Sequence, residues 1–134
     1  MKKWIIAIFI IACCAIVAFL FWGSDEQDLG DNYYFLPEYE AIDIGFPDGA
    51  VIYKSTQKNV FNDIKIRGNV VDAISNSDFI IASQKTNSSN FKNDSLQYYV
   101  IVKKTDSIYG PYDKEEYLQK REKSNISKKL ILNE

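Results

Sequence analysis

The sequence predicts an α+β chain: an N-terminal transmembrane helix, then a mainly antiparallel β-meander closed by one C-terminal helix. Three observations predict it. One unbroken apolar run stands near the N-terminus, short strand-like runs separated by turn residues follow, and a single stretch of helix formers with a helix-start signature comes last. The order sets an anchor over 1–22, a linker over 23–32 and an extracytoplasmic β-rich domain over 33–134. No internal repeat of the kind a propeller needs is present.

The anchor is the run Trp4 to Trp22, 19 residues without a charge, a glycine or a proline. As a helix it spans about 28 Å, close to the ~30 Å of a bilayer's hydrocarbon core. Trp4 and Trp22 stand at its ends, where amphipathic rings favour the headgroup level. Lys2 and Lys3 precede it, and Asp25, Glu26 and Asp28 follow. Basic residues stay inside, which puts the N-terminus in the cytoplasm and the domain outside. In a two-membrane bacterium that is a single-pass inner-membrane protein facing the periplasm.

Two other readings stay open. A cleaved signal peptide has a shorter apolar run and a small-residue cleavage site, whereas bulky Phe19-Leu20-Phe21-Trp22 precedes Gly23-Ser24 here. Ile10-Ile11-Ala12-Cys13 has the shape of a lipobox, which makes Cys13 a lipidation candidate. The eight apolar residues from Ala15 to Trp22 would then follow the lipid, where a polar linker is usual. A buried core helix would be amphipathic, and this run is apolar all round.

The elements follow in order. Gly23 to Asn32 is polar and acidic and reads as a flexible linker; its Asp spacing does not match a calcium loop. Tyr33 to Leu36 is a strand stopped by Pro37. Ala41 to Ile44 reads as a strand that pairs with Ala50 to Lys54 across the turn residues Pro47-Asp48-Gly49. In Asp63 to Arg67 the alternation places Ile64 and Ile66 on one face. Gly68-Asn69 breaks the chain, and Asn76-Ser77 joins strands Val70 to Ser75 and Asp78 to Gln84 into a hairpin. Thr86 to Ser95 is a polar loop. Leu96 to Lys104 reads as a strand buried on both faces, and Thr105-Asp106-Ser107 turns it into Ile108-Tyr109. Asp113 with Glu116 forms a capping-box pattern ahead of a helix over Lys114 to Lys123, with Tyr117 and Leu118 toward the sheet and Asn125 at its end. Lys128 to Leu132 adds a last strand or packs loosely.

Composition narrows the chemistry. The chain has no histidine, and its two cysteines, Cys13 and Cys14, lie in the apolar run. The domain therefore has no disulfide, no Cys/His zinc site and none of the common nucleophile–base arrangements that use a Cys nucleophile or a His base. Beyond the anchor stand 14 basic and 18 acidic residues, with no basic stripe, so nucleic acid is not an expected partner. No Gly-rich phosphate loop is present. No metal, cofactor or catalytic residue is expected. Glu38 and Glu40 would share a strand face as an acid/base pair, but solvated edge charges are the simpler account. Ser83 and Lys85 share a face too, without any sign that the lysine is buried. The aromatic content, nine Tyr and eight Phe, is the more distinctive feature. Tyr33, Tyr34, Tyr39 and Tyr112 are the candidate partner-binding residues, since tyrosine is enriched at interface hot spots; the competing account places half of the tyrosines in the core.

The runs Ser77-Asp78-Phe79-Ile80-Ile81-Ala82-Ser83-Gln84, Tyr98-Tyr99-Val100-Ile101-Val102-Lys103-Lys104-Thr105 and Tyr109-Gly110-Pro111-Tyr112-Asp113-Lys114-Glu115-Glu116-Tyr117 carry a resemblance. They resemble small uncharacterised membrane-anchored or secreted proteins of gut-dwelling Gram-negative bacteria, over about residues 60–125. The resemblance implies fold and placement and no activity. The expectation is a membrane-tethered module that binds another protein, as an immunity-type partner of an interbacterial toxin. The alternatives are an accessory subunit of an envelope complex and a carboxylate-dependent hydrolase.

Overall fold

The computed structural model describes residues 25–86 and 95–133. The anchor run, with Lys2, Lys3, Trp4, Cys13 and Trp22, lies outside the described residues, as do residues 87–94 of the polar loop. Among the described residues no helix is long and apolar enough to cross a membrane.

Among the described residues, eight strands form two four-stranded antiparallel sheets, each a simple meander. The first holds β1 (Gln27–Gly30), β2 (Tyr33–Leu36), β3 (Val51–Lys54) and β4 (Asp63–Ile66); the second holds β5 (Val70–Ser75), β6 (Phe79–Lys85), β7 (Leu96–Val102) and β8 (Ser107–Tyr112). Helix α1 (Glu38–Asp43) interrupts the first sheet, and α2 (Lys114–Lys123) follows the second.

Side chains alternate across a strand, so each sheet can be apolar on both faces. The two sheets meet through Leu29, Tyr33, Ile52 and Ile66 on one side and Ala73, Ile80, Ala82 and Ile101 on the other. The outer face of the first sheet offers Leu36, Val51 and Tyr53 to Ala41 of α1. The outer face of the second offers Ile81, Tyr98 and Val100 to Tyr117 of α2 and to Ile126, Leu130 and Leu132 of the tail. The order of layers is therefore α1, sheet, sheet, α2 with the tail.

Several expectations change. The linker is not free of structure: Gln27–Gly30 is an edge strand paired with β2. Its Leu29 is in the core, and Glu26 is buried, accepting the Tyr53 hydroxyl and lying 3.4 Å from Lys58 Nζ. Polar composition concealed a strand with one inward side chain. Residues 41–44 are not a strand either. They belong to α1 and its C-cap, and β3 pairs with β2 across the helix. Ile64 and Ile66 do not share a face, because the β3–β4 register shifts between Ile52↔Ile66 and Tyr53↔Ile64. This bulge turns Ile66 inward and leaves Ile64 with the outer cluster. The tail Lys128–Leu132 adds no strand; Leu130 and Leu132 are buried and Ile131 points out.

The chain changes sheet at Gly68-Asn69. Both residues have positive φ, 73° and 52°. A Cβ on Gly68 would stand 2.5 Å from Asp48 Cβ, so only glycine fits. The crossing is tied to the first sheet by Asn69 N–H donating to the Asp48 carbonyl (2.6 Å) and to the second by Lys85 N–H donating to the Asn69 carbonyl (2.9 Å).

Candidate interaction surface

The four singled-out tyrosines do not converge. Tyr33 is fully buried between the sheets, so its ring has no surface to offer a partner. Its hydroxyl donates to Asp106, and burial followed by that hydrogen bond raises its pKa well above the ordinary tyrosine value. Tyr34 points the other way from β2, half-buried and stacked on Tyr53 at 5.2 Å. Tyr39 is 53% exposed on α1, its hydroxyl donating to Asp25. Tyr112 is partly buried on β8, packed on the outer cluster of the second sheet. Tyr39 and Tyr112 thus belong to opposite outer layers.

What Tyr33 supports is a strut rather than a site. Asp106 sits in the β7–β8 turn with positive φ of 54° and meets Lys65 at 2.9 Å and Lys54 at 3.4 Å. Partial burial pushes its carboxyl up, but the Tyr33 hydroxyl and the Lys65 and Lys54 charges outweigh this and hold it at about 2. Lys103, in the 3-10 turn that follows β7, is buried and donates to the Leu29 carbonyl at 2.5 Å, joining β1 to the second sheet.

The carboxylate and serine pairs are not assembled for chemistry. Glu38 and Glu40 lie on helix α1, where residues two apart do not face each other. Glu40 is used by the Asp25 N–H, which donates to it at 2.6 Å. Ser83 is fully buried while Lys85 is exposed. Among the described residues no group of three or more His, Cys, Asp or Glu side chains is placed to hold a metal ion.

The outer face of α2 is organised differently. Asp113 caps the helix by accepting the Glu116 N–H at 2.8 Å, and Glu116 returns by accepting the Asp113 N–H, which completes the capping box. Tyr117 stacks on Tyr98 at 4.7 Å with ring planes 12° apart, fixing the helix to the sheet. Arg121 donates to the Tyr117 hydroxyl (3.2 Å), the Ser127 carbonyl (2.9 Å) and the Leu130 carbonyl (2.7 Å), so one guanidinium pins the tail to the helix. Leu118, expected to face the sheet, is 51% exposed instead, because Tyr117 takes the inward position and the next residue turns away by about 100°. Leu118 and Ile131, 65% exposed, line a common depression, and Leu118, Arg121 and Ile126 line a neighbouring cleft of ≈ 680 Å³. Tyr112 lines a third hollow beside Glu116 and Lys120. The charge here is inverted relative to the chain: residues 114–133 hold six basic and three acidic side chains, against a chain net of −2.

A protein-family model matches residues 31–134, and its description reads "Protein of unknown function (DUF3997)". The chain belongs to the DUF3997 family. The match covers β2 to the tail and starts in the turn after β1, so β1 of this chain lies just ahead of it. Neither a curated relative nor a solved structure matches the chain.

Proposed function

We propose that this DUF3997 protein is a membrane-tethered binding module outside the cytoplasm, held by Trp4–Trp22 and recognising another protein through the α2–tail layer. The observation that carries the reading is Leu118 with Ile131. Two large apolar side chains stand exposed and adjacent on a layer that the capping box, the Tyr98–Tyr117 stack and Arg121 hold rigid. Pre-organisation of this kind lowers the ordering cost of binding. Apolar anchors inside a basic rim suit a partner that presents apolar side chains among carboxylates. Tyr112 lies on the same outer face and joins the rim.

The full chain reconstituted in lipid nanodiscs tests this. Leu118→Glu with Ile131→Glu is expected to release the partner that the wild-type chain retains, while leaving the domain folded. A partner retained equally by both chains refutes the surface. Exchange of the anchor separates the two kinds of module: an immunity-type protein keeps its activity with a foreign anchor, and an accessory subunit of an envelope complex loses it.

A further inference from the structure

Helix α1 leaves three large apolar side chains in water: Tyr39 at 53%, Ile42 at 50% and Ile44 at 51% exposure. Scattered apolar residues are ordinary on a surface; three on one short helix and its cap are not. Their position relative to the anchor decides what covers them. Asp25, the first described residue, is bolted to this helix: its N–H donates to Glu40 at 2.6 Å, and its carboxylate accepts the Tyr39 hydroxyl. Only Gly23 and Ser24 separate Asp25 from Trp22. Three Cα–Cα steps reach at most about 11 Å. If Trp22 sits at headgroup level, α1 cannot leave the neighbourhood of the bilayer surface.

We propose that Tyr39, Ile42 and Ile44 of α1 rest in the interfacial layer of the membrane that holds Trp4–Trp22, seating the domain with α1 down and α2 away from the lipid. The proposal rests on the tethered reading above. The lipid chemistry follows from charge. Residues 23–53 carry eight acidic side chains and no basic one. This pole fits a zwitterionic surface and is repelled by an anionic one, whose attraction is for polybasic segments. Tyrosine is at home at the membrane–water boundary, and isoleucine gains by leaving water. Two sheets and a helix layer lie between α1 and the far face, about 10 Å for each step, so α2 stands roughly 30 Å further out. The short tether thus keeps the net-positive face free for a partner rather than letting it lie down on lipid.

The test uses the full chain in phosphatidylcholine nanodiscs doped with a gadolinium-chelating headgroup lipid, with backbone amides read by NMR. Amides of residues 38–45 are expected to broaden severalfold more than those of 114–123. Equal broadening, or stronger broadening at α2, overturns the proposal. Ile42→Ser with Ile44→Ser removes half-exposed side chains and leaves the core intact. It is expected to lower the docked-to-undocked ratio about fivefold per isoleucine, and unchanged broadening at α1 overturns the proposal. Replacing a third of the lipid by phosphatidylglycerol is expected to weaken the α1 signal; strengthening overturns the assignment of a zwitterionic surface. The anchor is read separately. Both tryptophans of the chain, Trp4 and Trp22, lie in the apolar run, so quenching of intrinsic fluorescence by doxyl-labelled lipid reports on it alone. Quenched tryptophan with unbroadened α1 leaves the tether standing and sinks the docking. Unquenched tryptophan sinks both.

Discussion

Most core substitutions destabilise; Ser83→Ala is expected to do the opposite. Ser83 is fully buried in the middle of the second sheet, in register with Tyr98 and on the face that carries Ile81 and Val100 beneath α2. Its hydroxyl has no hydrogen-bond partner among the described residues. An unpartnered buried polar group costs about 1–3 kcal/mol in lost hydration. Alanine removes that cost along with one small atom, whose lost packing offsets part of the gain. The net expectation is a stabilisation of about 1 kcal/mol, or a rise in Tm of roughly 4 °C for a domain of this size. Urea unfolding followed by circular dichroism measures it as a higher midpoint with an unchanged m-value. Ser77→Ala is the control. Ser77 is exposed in the β5–β6 turn, donating only to the neighbouring Asp78, and its loss should change stability by less than about 0.5 kcal/mol. If Ser83→Ala instead destabilises by 1 kcal/mol or more, the hydroxyl makes a hydrogen bond in the folded domain and the reasoning fails.

Two further outcomes follow from the packing and the charge. Tyr117→Ala deletes the buried ring that seats α2 on Tyr98 and is expected to cost about 3–4 kcal/mol in the same denaturation assay; a loss under 1 kcal/mol would mean that α2 is not a fixed layer. Asp106 is held at about 2, below the ordinary value of 3.8, so its contribution is complete above pH 4 and disappears as the pH falls from 4 toward 2. Because 38% of its side chain is exposed, solvent screening reduces the effect to about 1 kcal/mol. The stability gap between wild type and Asp106→Asn should shrink over that interval, and a gap that stays constant refutes the assignment.

The second half of the domain was legible because its signals are local. Asn76 takes two turn N–H groups on its side chain, from Asp78 and Phe79, and a hairpin follows from those few residues alone. The capping box at Asp113 and Glu116 needs only one helical turn, and α2 begins and ends where the sequence places it. The first half misled for the same reason in reverse. Ala41-Ile42-Asp43-Ile44 alternates as a strand should, yet it is helix and cap, because only Ala41 is buried against Leu36 and Val51 while both isoleucines face out. Local propensity was overruled by which face the tertiary contact buries. The Ile64–Ile66 pair was lost to a bulge, and β1 was lost because a four-residue edge strand with a single inward leucine shows no alternating pattern.

The candidate surface divides along the same line. A surplus of tyrosines in a sequence suggests recognition, but burial is a property of the assembled layers, and assembly put Tyr33 in the core and Leu118 in water. By itself the sequence determined the apolar run and its charge flanks, the absence of histidine and of cysteine beyond that run, the turns of two hairpins and the capped helix. Each is either composition or an interaction within a few residues. Only the tertiary structure decided that the strands split into two sheets, that α1 and α2 cover opposite outer faces, and that Asp25 is fastened to α1. Those outcomes depend on contacts between segments far apart in the chain, whose energies come from burying specific faces together and are not written in any one segment.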